Sequence, residues 1–242
     1  MQISRGQICA ILQPHYLPWL GYFEMFDRVD IFVFLDDVQF IKREWKNRNK
    51  IRKTQNHLSS KWLSVPVKGE DQRKTLNQVR LASKDWATDH LNSIRSTYGK
   101  SPFFSEVFPF LEHTLREGRE SILSELNIRL ICEINSLIGI KTKSIKSSAL
   151  GIVGKRQEKI LQICKDIGAS YYLANNASTN YLDPSYFNAN GVKVLLQNYK
   201  HPVYEQISDN IELPVLSHLS VIDLLFNIGL RENALETIRR GR

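Results

Sequence analysis

The chain lacks the features that define several classes of protein. Its 3 cysteines, Cys9, Cys132 and Cys164, lie far apart in apolar segments, a spacing that matches neither a disulfide framework nor a metal site. No apolar run approaches the roughly 20 residues that cross a bilayer. The first six residues lack the apolar core of a signal peptide. We therefore expect a cytoplasmic protein with no membrane span and no metal site.

Strong catalytic motifs are also missing from the sequence. It contains no Walker-type phosphate loop, no Gly-x-Gly-x-x-Gly fingerprint after a strand, no His-x-x-x-His pair and no nucleophile elbow. The sequence therefore specifies no cofactor. It also leaves the oligomeric state open.

The order of apolar patterns predicts an α/β fold with a mostly parallel, Rossmann-like sheet. Strand and helix patterns alternate near both ends of the chain, as in parallel sheets with crossover helices. Residues 61–67 alternate as a strand, and a helical block at about 83–139 forms an insert or a cap. Pro109 is expected to kink or break a helix in this block, and Val221–Ile228 is expected to be the final helix. We predict one domain over residues 1–242.

The most informative segment follows the apolar run Ile8–Leu12. Two prolines keep residues 14–18 out of regular helix or strand, so a fixed loop carries Gln13, His15 and Tyr16. Gly21 then permits close backbone approach where a helix begins. The structural alternative is a proline-rich turn packed with core aromatics.

A second apolar run, residues 31–35, ends in Asp36 and Asp37. Ligands of open α/β sheets bind outside the carboxyl ends of the strands, so we expect these carboxylates to converge with Gln13 and His15. His15 titrates near neutrality and is the candidate general base. Either carboxylate would orient its ring or hold an amine. A surface histidine with ordinary hydrogen bonds is the alternative.

Positive charge is concentrated in residues 42–53. The formal net charge is +8, and this segment, with seven basic residues and one acid, Glu44, holds +6 of it. Such a segment binds nucleic acid, an acidic membrane surface or a phosphorylated small molecule, or it is a solvated basic face. Because it follows the acidic pair closely, we favour a phosphorylated small molecule. The predicted contacts are Lys42, Arg43, Arg48 and Lys50 to phosphate, and Trp45 stacked on a base or sugar.

Polar loops later in the chain form a weaker third group of candidates. Tyr181 lies in one such loop, and His201, Tyr204 and Gln206 lie in another that follows a predicted strand. Asp223, in the first turn of a helix, is an alternative catalytic carboxylate, although an acid at that position also complements the helix dipole.

Seven segments spread over nearly the whole chain resemble, in sequence and order, the WbqC-like protein family. They are Gln13–Phe23, Asp36–Arg43, Trp45–Ile51, Trp62–Val67, Tyr181–Asp183, His201–Gln206 and Leu219–Gly229. We include Gly21, Asn47, Asn49 and Ser220 of these segments among the substrate-binding positions. The chain departs from the family at Ala174–Asn175, where relatives tend to carry Ser-Gly, which puts a backbone contact through that glycine in doubt.

The resemblance implies a bacterial cytoplasmic protein of surface-polysaccharide (O-antigen) or related small-molecule biosynthesis. It implies transfer of an acyl or aminoacyl group, glycyl being one option, to an amino sugar carried on a nucleotide. A CoA ester and an aminoacyl-tRNA both remain open as donor. The alternatives are a non-catalytic nucleotide-sugar binding protein, an RNA-binding protein, and a nucleotidylyltransferase-like enzyme. The last uses a His-x-Gly-His motif, in which Tyr22 here replaces the second histidine.

Overall fold

The structure, a computed structural model, describes residues 6–54, 58–83, 85–117, 120–180 and 182–242. The strands in chain order are β1 (Ile8–Leu12), β2 (Ile31–Phe34), β3 (Arg48–Arg52), β4 (Ser60–Ser64), β5 (Lys143–Lys146), β6 (Tyr171–Ala174), β7 (Lys193–Leu196), β8 (Ile207–Ser208) and β9 (Ile211–Glu212). The α-helices are α1 (Leu20–Arg28), α2 (Trp86–Tyr98), α3 (Phe104–Glu117), α4 (Leu123–Ile138), α5 (Arg156–Asp166), α6 (Pro184–Ala189), α7 (Val221–Ile228) and α8 (Arg231–Arg239).

Five strands of the described chain form one parallel sheet, in the order β5-β2-β1-β6-β7. This sheet confirms the predicted α/β class. The chain runs outward from central β1 through β2 to β5 and then crosses to β6 and β7 on the other side. The strand order therefore reverses between β1 and β6. In open α/β sheets such a reversal, at the carboxyl ends of the strands, is where ligands bind.

Both faces of the parallel sheet are covered, as is usual for this kind of sheet. Along β1 the side chains alternate between two cores. Ala10 packs into the larger core together with Phe32, whereas Cys9 and Ile11 pack into a smaller core with residues of α5 and α6. The loops that follow the strands are therefore anchored on a well-packed scaffold.

The predicted helical block is present as α2, α3 and α4, and its buried side chains belong to the same core as the larger face of the sheet. The predicted kink or break at Pro109 does not end the helix, because α3 continues through this residue. Phe108 and Leu111 are buried on either side of it, so packing outweighs the local preference of proline. That residues 1–242 form one domain stays a prediction.

Several elements were missed in the sequence, among them β3 and α8. The basic segment contains β3, which pairs antiparallel with β4. Its buried positions include Asn49 and Arg52. Because these buried residues are polar, the sequence does not show the alternation of apolar and polar residues that marks a strand. The prediction that α7 is the final helix was wrong, because α8 follows it. No helix within the described ranges is long and apolar enough to cross a membrane.

Candidate functional site

The loop after β1 is fixed by side chains from distant parts of the chain. Asn49 Nδ2 donates to the carbonyl oxygen of Leu17 (2.5 Å), and Ser220 Oγ donates to the same oxygen (2.7 Å). Asn127 Nδ2 donates to the carbonyl oxygen of Pro14 (3.0 Å). Leu17 itself has a positive φ of 41°. Asn49 and Ser220, both predicted to bind substrate, therefore hold the loop in place, and direct substrate contact by either stays a prediction.

Gly21 is required by the position of Trp19. A Cβ atom on Gly21 would lie 2.2 Å from the Trp19 ring, a distance that no packed structure tolerates. The indole lies over the start of α1, and its other ring neighbours are Tyr199 (centroids 5.6 Å apart) and His218 (6.3 Å). Gly21 thus shapes the candidate site through Trp19.

Tyr16 points away from the strand ends into the core. Its side chain is fully buried, and its hydroxyl lies 2.9 Å from His90 Nδ1. Burial raises the pKa of Tyr16 and lowers the pKa of His90 to about 4. This pair links the loop to α2, and a substrate contact by Tyr16 stays a prediction.

Two clefts open at the carboxyl ends of the strands, on either side of the loop after β1. The first, with a volume of about 900 Å³, we call the cationic cleft. It is lined by segments after β1 and β2 and by the start of α5: Gln13, Leu35, Asp37, Val38, Gln39, Gly154, Lys155, Arg156, Lys159 and Ile160. Gln13 Oε1 is buried there without a hydrogen-bond partner among the described residues.

Three cations of α5 and its N-cap line the cationic cleft. Lys159 is buried and pairs with Asp37 (Nζ to Oδ2, 2.6 Å). Lys155 and Arg156 are exposed and form no ion pair within the described part of the chain. Both lie at the amino end of α5, where the helix dipole disfavours positive charge, and Arg156 has a positive φ of 52°. The cleft therefore has uncompensated positive charge suited to an anion.

Asp36 and Asp37 are bound to the segment after β5. Asp36 is buried and accepts hydrogen bonds from the Ser148 amide (2.9 Å) and hydroxyl (2.7 Å). Asp37 accepts one from Ser147 Oγ (2.5 Å). Neither carboxylate hydrogen-bonds His15 in the described structure, so the expected orienting contact is not observed. Asp37 lines the cationic cleft, whereas His15 lies on the other side of the loop. Their catalytic roles stay predictions.

The second cleft, about 330 Å³, we call the aromatic cleft. It is lined by residues that follow β1, β6 and β7 and by two from elsewhere: His15, Trp19, Trp45, Asn175, Asn176, Ala177, Gln197, Tyr199 and His218. Asn175, at the position of the family departure, accepts hydrogen bonds from Ser178 N (3.0 Å) and Oγ (2.9 Å). Asn175, where relatives tend to carry glycine, thus stabilises a turn at the cleft through its side chain.

His15 is partly buried in the wall of the aromatic cleft. Its Nδ1 atom is buried and has no hydrogen-bond partner among the described residues. Burial, with a smaller contribution from the positive charge of Lys46, lowers the pKa of His15 to about 3. The ring is therefore neutral at pH 7. A group with this pKa is a weaker base than the sequence suggested.

His201 lies behind the aromatic cleft, with its ring centroid 5.0 Å from that of His218. His201 Nδ1 lies 3.0 Å from the carbonyl oxygen of Pro202, so Nδ1 is the protonated nitrogen and Nε2 is an acceptor. That Nε2 is buried without a partner among the described residues. Burial lowers the pKa of His201. The ring is an uncharged element of the wall behind His218.

Tyr204, Gln206 and Asp223 form a buried hydrogen-bond network. Asp223 Oδ1 accepts from Tyr204 Oη (2.8 Å) and Gln206 Nε2 (2.7 Å), and Oδ2 accepts from Tyr98 Oη (2.8 Å). Burial raises the pKa of Asp223, against the lowering effect of these bonds. All of these side chains are buried. These hydrogen bonds give the network a scaffolding role. That the network contacts substrate or takes part in the reaction stays a prediction.

The basic segment presents aromatic and cationic groups together. Trp45 and Trp62 are each 40% exposed, with ring centroids 5.3 Å apart. Arg48 Cζ lies 3.9 Å and Lys50 Nζ 4.9 Å from the Trp62 ring centroid. We call these four residues the tryptophan patch. Lys42 and Arg43 are exposed nearby in sequence, whereas Asn47 is buried and donates to the carbonyl oxygen of Val65 (3.1 Å).

Sequence reasoning missed several lining residues. Lys155 and Arg156 begin a helix after a glycine-containing loop and a strand, and that order was a usable signal. Trp62 lies in a segment that resembles the family and Tyr199 in the polar loop after a predicted strand, but neither was predicted as a site residue. His218 had no such signal, because only the fold brings it to the site. Tyr181 lies outside the described residues. No cluster of three or more metal-ligating side chains occurs in the part of the chain that the structure describes.

Comparison of the sequence with known proteins identifies its family. The model of the WbqC-like protein family matches residues 13–234. The uncharacterized protein Rv1507c of Mycobacterium tuberculosis (strain ATCC 25618 / H37Rv) is 32% identical over 223 residues, which cover 91% of this chain and 93% of that protein. No solved structure matches this chain. The matched span contains all residues that line the two clefts.

Proposed function

This chain belongs to the WbqC-like protein family, and from that premise we propose that it transfers an acyl or aminoacyl group, such as glycyl, to a nucleotide-linked amino sugar. We place it in the bacterial cytoplasm, in surface-polysaccharide or related small-molecule biosynthesis. One observation carries the proposal: two clefts of different chemistry adjoin the same loop, which contributes Gln13 to one and His15 to the other. A transferase that acts by direct transfer needs two substrate sites that meet at one point.

The cationic cleft is suited to the diphosphate of the acceptor. Lys155 and Arg156 lack ion-pair partners among the described residues, and they lie beside the amino end of α5, whose dipole favours an anion. Arginine also offers phosphate a bidentate fork. Glu158, in the same turn, pairs with neither cation in the described chain. A bound diphosphate would neutralise this charge.

His15 is suited to the reacting amine. Its neutral ring can accept a hydrogen bond from the amine and take a proton as positive charge develops on the attacking nitrogen. General-base assistance contributes about 10²–10⁴-fold. Because the pKa of His15 is only about 3 in the free protein, we expect a contribution at the lower end of that range.

Transfer is proposed to be direct. Neither cleft is lined by a serine, threonine or cysteine of the described residues, so neither offers an aliphatic hydroxyl or a thiol to carry the acyl group. The amine would attack the donor while both substrates are bound. Gln13 and His15, on opposite sides of the loop, lie where the two substrates meet.

Calorimetry with UDP- and dTDP-linked sugars, and with pyrophosphate as a minimal probe, tests the acceptor site. Arg156→Gln should weaken nucleotide-sugar binding by about tenfold, the lower end of the range for hydrogen bonds to charged groups, because Arg156 is exposed. Lys193→Gln, an exposed lysine on β7 outside both clefts, is the matched control. Equal affinity in both variants would contradict the acceptor site, and binding without product from any donor would favour the non-catalytic binding protein.

A further inference from the structure

The tryptophan patch (Trp45, Trp62, Arg48 and Lys50) has a composition that the scaffold does not explain. Both indoles are 40% exposed, although large aromatic side chains are stabilising mainly when buried. Arg48 and Lys50 pair with no carboxylate among the described residues, and Arg48 Nε is buried without a hydrogen-bond partner there. The patch therefore combines free aromatic surface with uncompensated positive charge.

The patch is held in a fixed geometry by the β3–β4 hairpin. Lys50 and Trp62 are directly opposite in the antiparallel register, and Arg48, two residues from Lys50 on β3, lies on the same face of the hairpin. Its guanidinium stacks at 3.9 Å from the Trp62 centroid. Cations stacked in this way gain from the ring quadrupole. The exposed indole of Trp62 on the hairpin, with that of Trp45 beside it, gives a planar base a preformed surface on which to stack.

The patch is continuous with the aromatic cleft. Trp45 lines that cleft and also lies against Trp62, with 5.3 Å between ring centroids. A molecule whose base stacks on the patch can therefore extend its other end into the cleft, where His15 Nδ1 has no hydrogen-bond partner among the described residues. The cationic cleft lies on the opposite side of the loop and has its own cations.

We propose that the tryptophan patch binds the nucleotide portion of the acyl donor, a planar base with adjacent phosphate. This inference rests on the proposed function and names its donor class. The adenosine 3′-phosphate group of a CoA thioester and the 3′-terminal adenosine of a charged RNA share this chemistry. The base stacks on the indoles, the phosphate contacts Arg48 and Lys50, and the acyl group enters the aromatic cleft.

The reaction is balanced without any further reactant. The amine nitrogen forms a C–N bond to the acyl carbon, and the C–S bond of a thioester or the C–O bond of an RNA ester breaks. The bonding electrons leave with sulfur or oxygen. The proton lost by the amine, held in passing by His15, ends on the released thiol or hydroxyl. No oxidant or reductant takes part.

Binding of adenosine 3′,5′-bisphosphate, measured by calorimetry, tests the patch without turnover. Base–aromatic stacking is weakened by about 1–3 kcal/mol on substitution by alanine, so Trp62→Ala should raise Kd roughly 5- to 150-fold. Trp62→Phe should retain most of the affinity, and Arg48→Gln should weaken binding. Lys193→Gln, which removes the same charge elsewhere, should change nothing. Absent binding, or equal affinity in wild type and Trp62→Ala, would overturn the inference.

Two further probes distinguish the sources. CoA should bind with a shallow salt dependence, whereas a single-stranded RNA ending in CCA should show a log Kd slope that grows by about 0.7 for each phosphate engaged. UDP-linked sugars are titrated into the same variants. If UDP-linked sugars bind but adenine nucleotides do not, only the proposed donor site is refuted. Adenine-nucleotide binding at the patch without any sugar binding in the cationic cleft would refute the proposed acceptor instead.

Discussion

Removing the carboxylate of Asp37 should destabilise the protein because it leaves Lys159 buried without a counter-charge. The pair is 2.6 Å apart, and the two side chains are only 19% and 8% exposed. Breaking a buried pair costs about 3–5 kcal/mol. Since Asp37 is partly open to water, we expect about 3 kcal/mol for Asp37→Asn. In a chain of this length that corresponds to a fall in melting temperature of roughly 6–12 °C.

Thermal and urea unfolding of four proteins measures this effect: wild type, Asp37→Asn, Lys159→Met and the double variant. Replacing a buried ion pair by apolar groups is often nearly neutral, so the double variant should recover most of the stability lost in Asp37→Asn. Asp37→Asn with the wild-type melting temperature, or a double variant no better than Asp37→Asn, would refute the reasoning. In the stable double variant, transferase activity would then report whether the Asp37–Lys159 pair also takes part in substrate binding or chemistry.

Three other predictions follow from the same geometry. Gly21→Ala should displace the Trp19 ring and weaken ligand binding in the aromatic cleft, measured by calorimetry, whereas wild-type affinity would mean that the ring adapts. Tyr204→Phe should cost about 1.5–3 kcal/mol in urea unfolding, the range for a hydrogen bond to a charged group such as Asp223, without altering ligand affinity. His15 should stay neutral down to pH 4 by NMR titration because its pKa is about 3. The unfolded chain takes up this proton near pH 6.5, so part of the stability present above pH 6.5 should be lost as the pH falls from 6.5 to 3. An NMR titration midpoint near 6.5 would contradict the burial of His15.

The strand pattern of the sequence was enough to place the site at the carboxyl ends of the parallel strands. Gln13 and His15 follow β1, and Asp36 and Asp37 follow β2, as predicted. The sequence did not show that the loop after β1 divides this edge into two clefts. That division depends on the crossover to β6, which places Asn175 on the opposite side of β1, and strand order across a sheet is not visible in local patterns.

The sequence did not distinguish polar residues that are buried in the scaffold from those that line the clefts. Asn49, Ser220 and Asp223 were predicted site residues, and all three are buried and hydrogen-bonded to the scaffold. A buried polar group must find partners, and those partners are distant in sequence. Lys155 and Arg156, by contrast, were not predicted as site residues, although both line the cationic cleft.

A crystal structure of the protein with a UDP-linked amino sugar tests the central claim most directly. The account predicts the diphosphate in the cationic cleft, within hydrogen-bond distance of Lys155 or Arg156. It predicts the sugar amine about 3 Å from a ring nitrogen of His15, the distance that proton transfer requires. A diphosphate bound on the tryptophan patch, or an amine remote from His15, would contradict it.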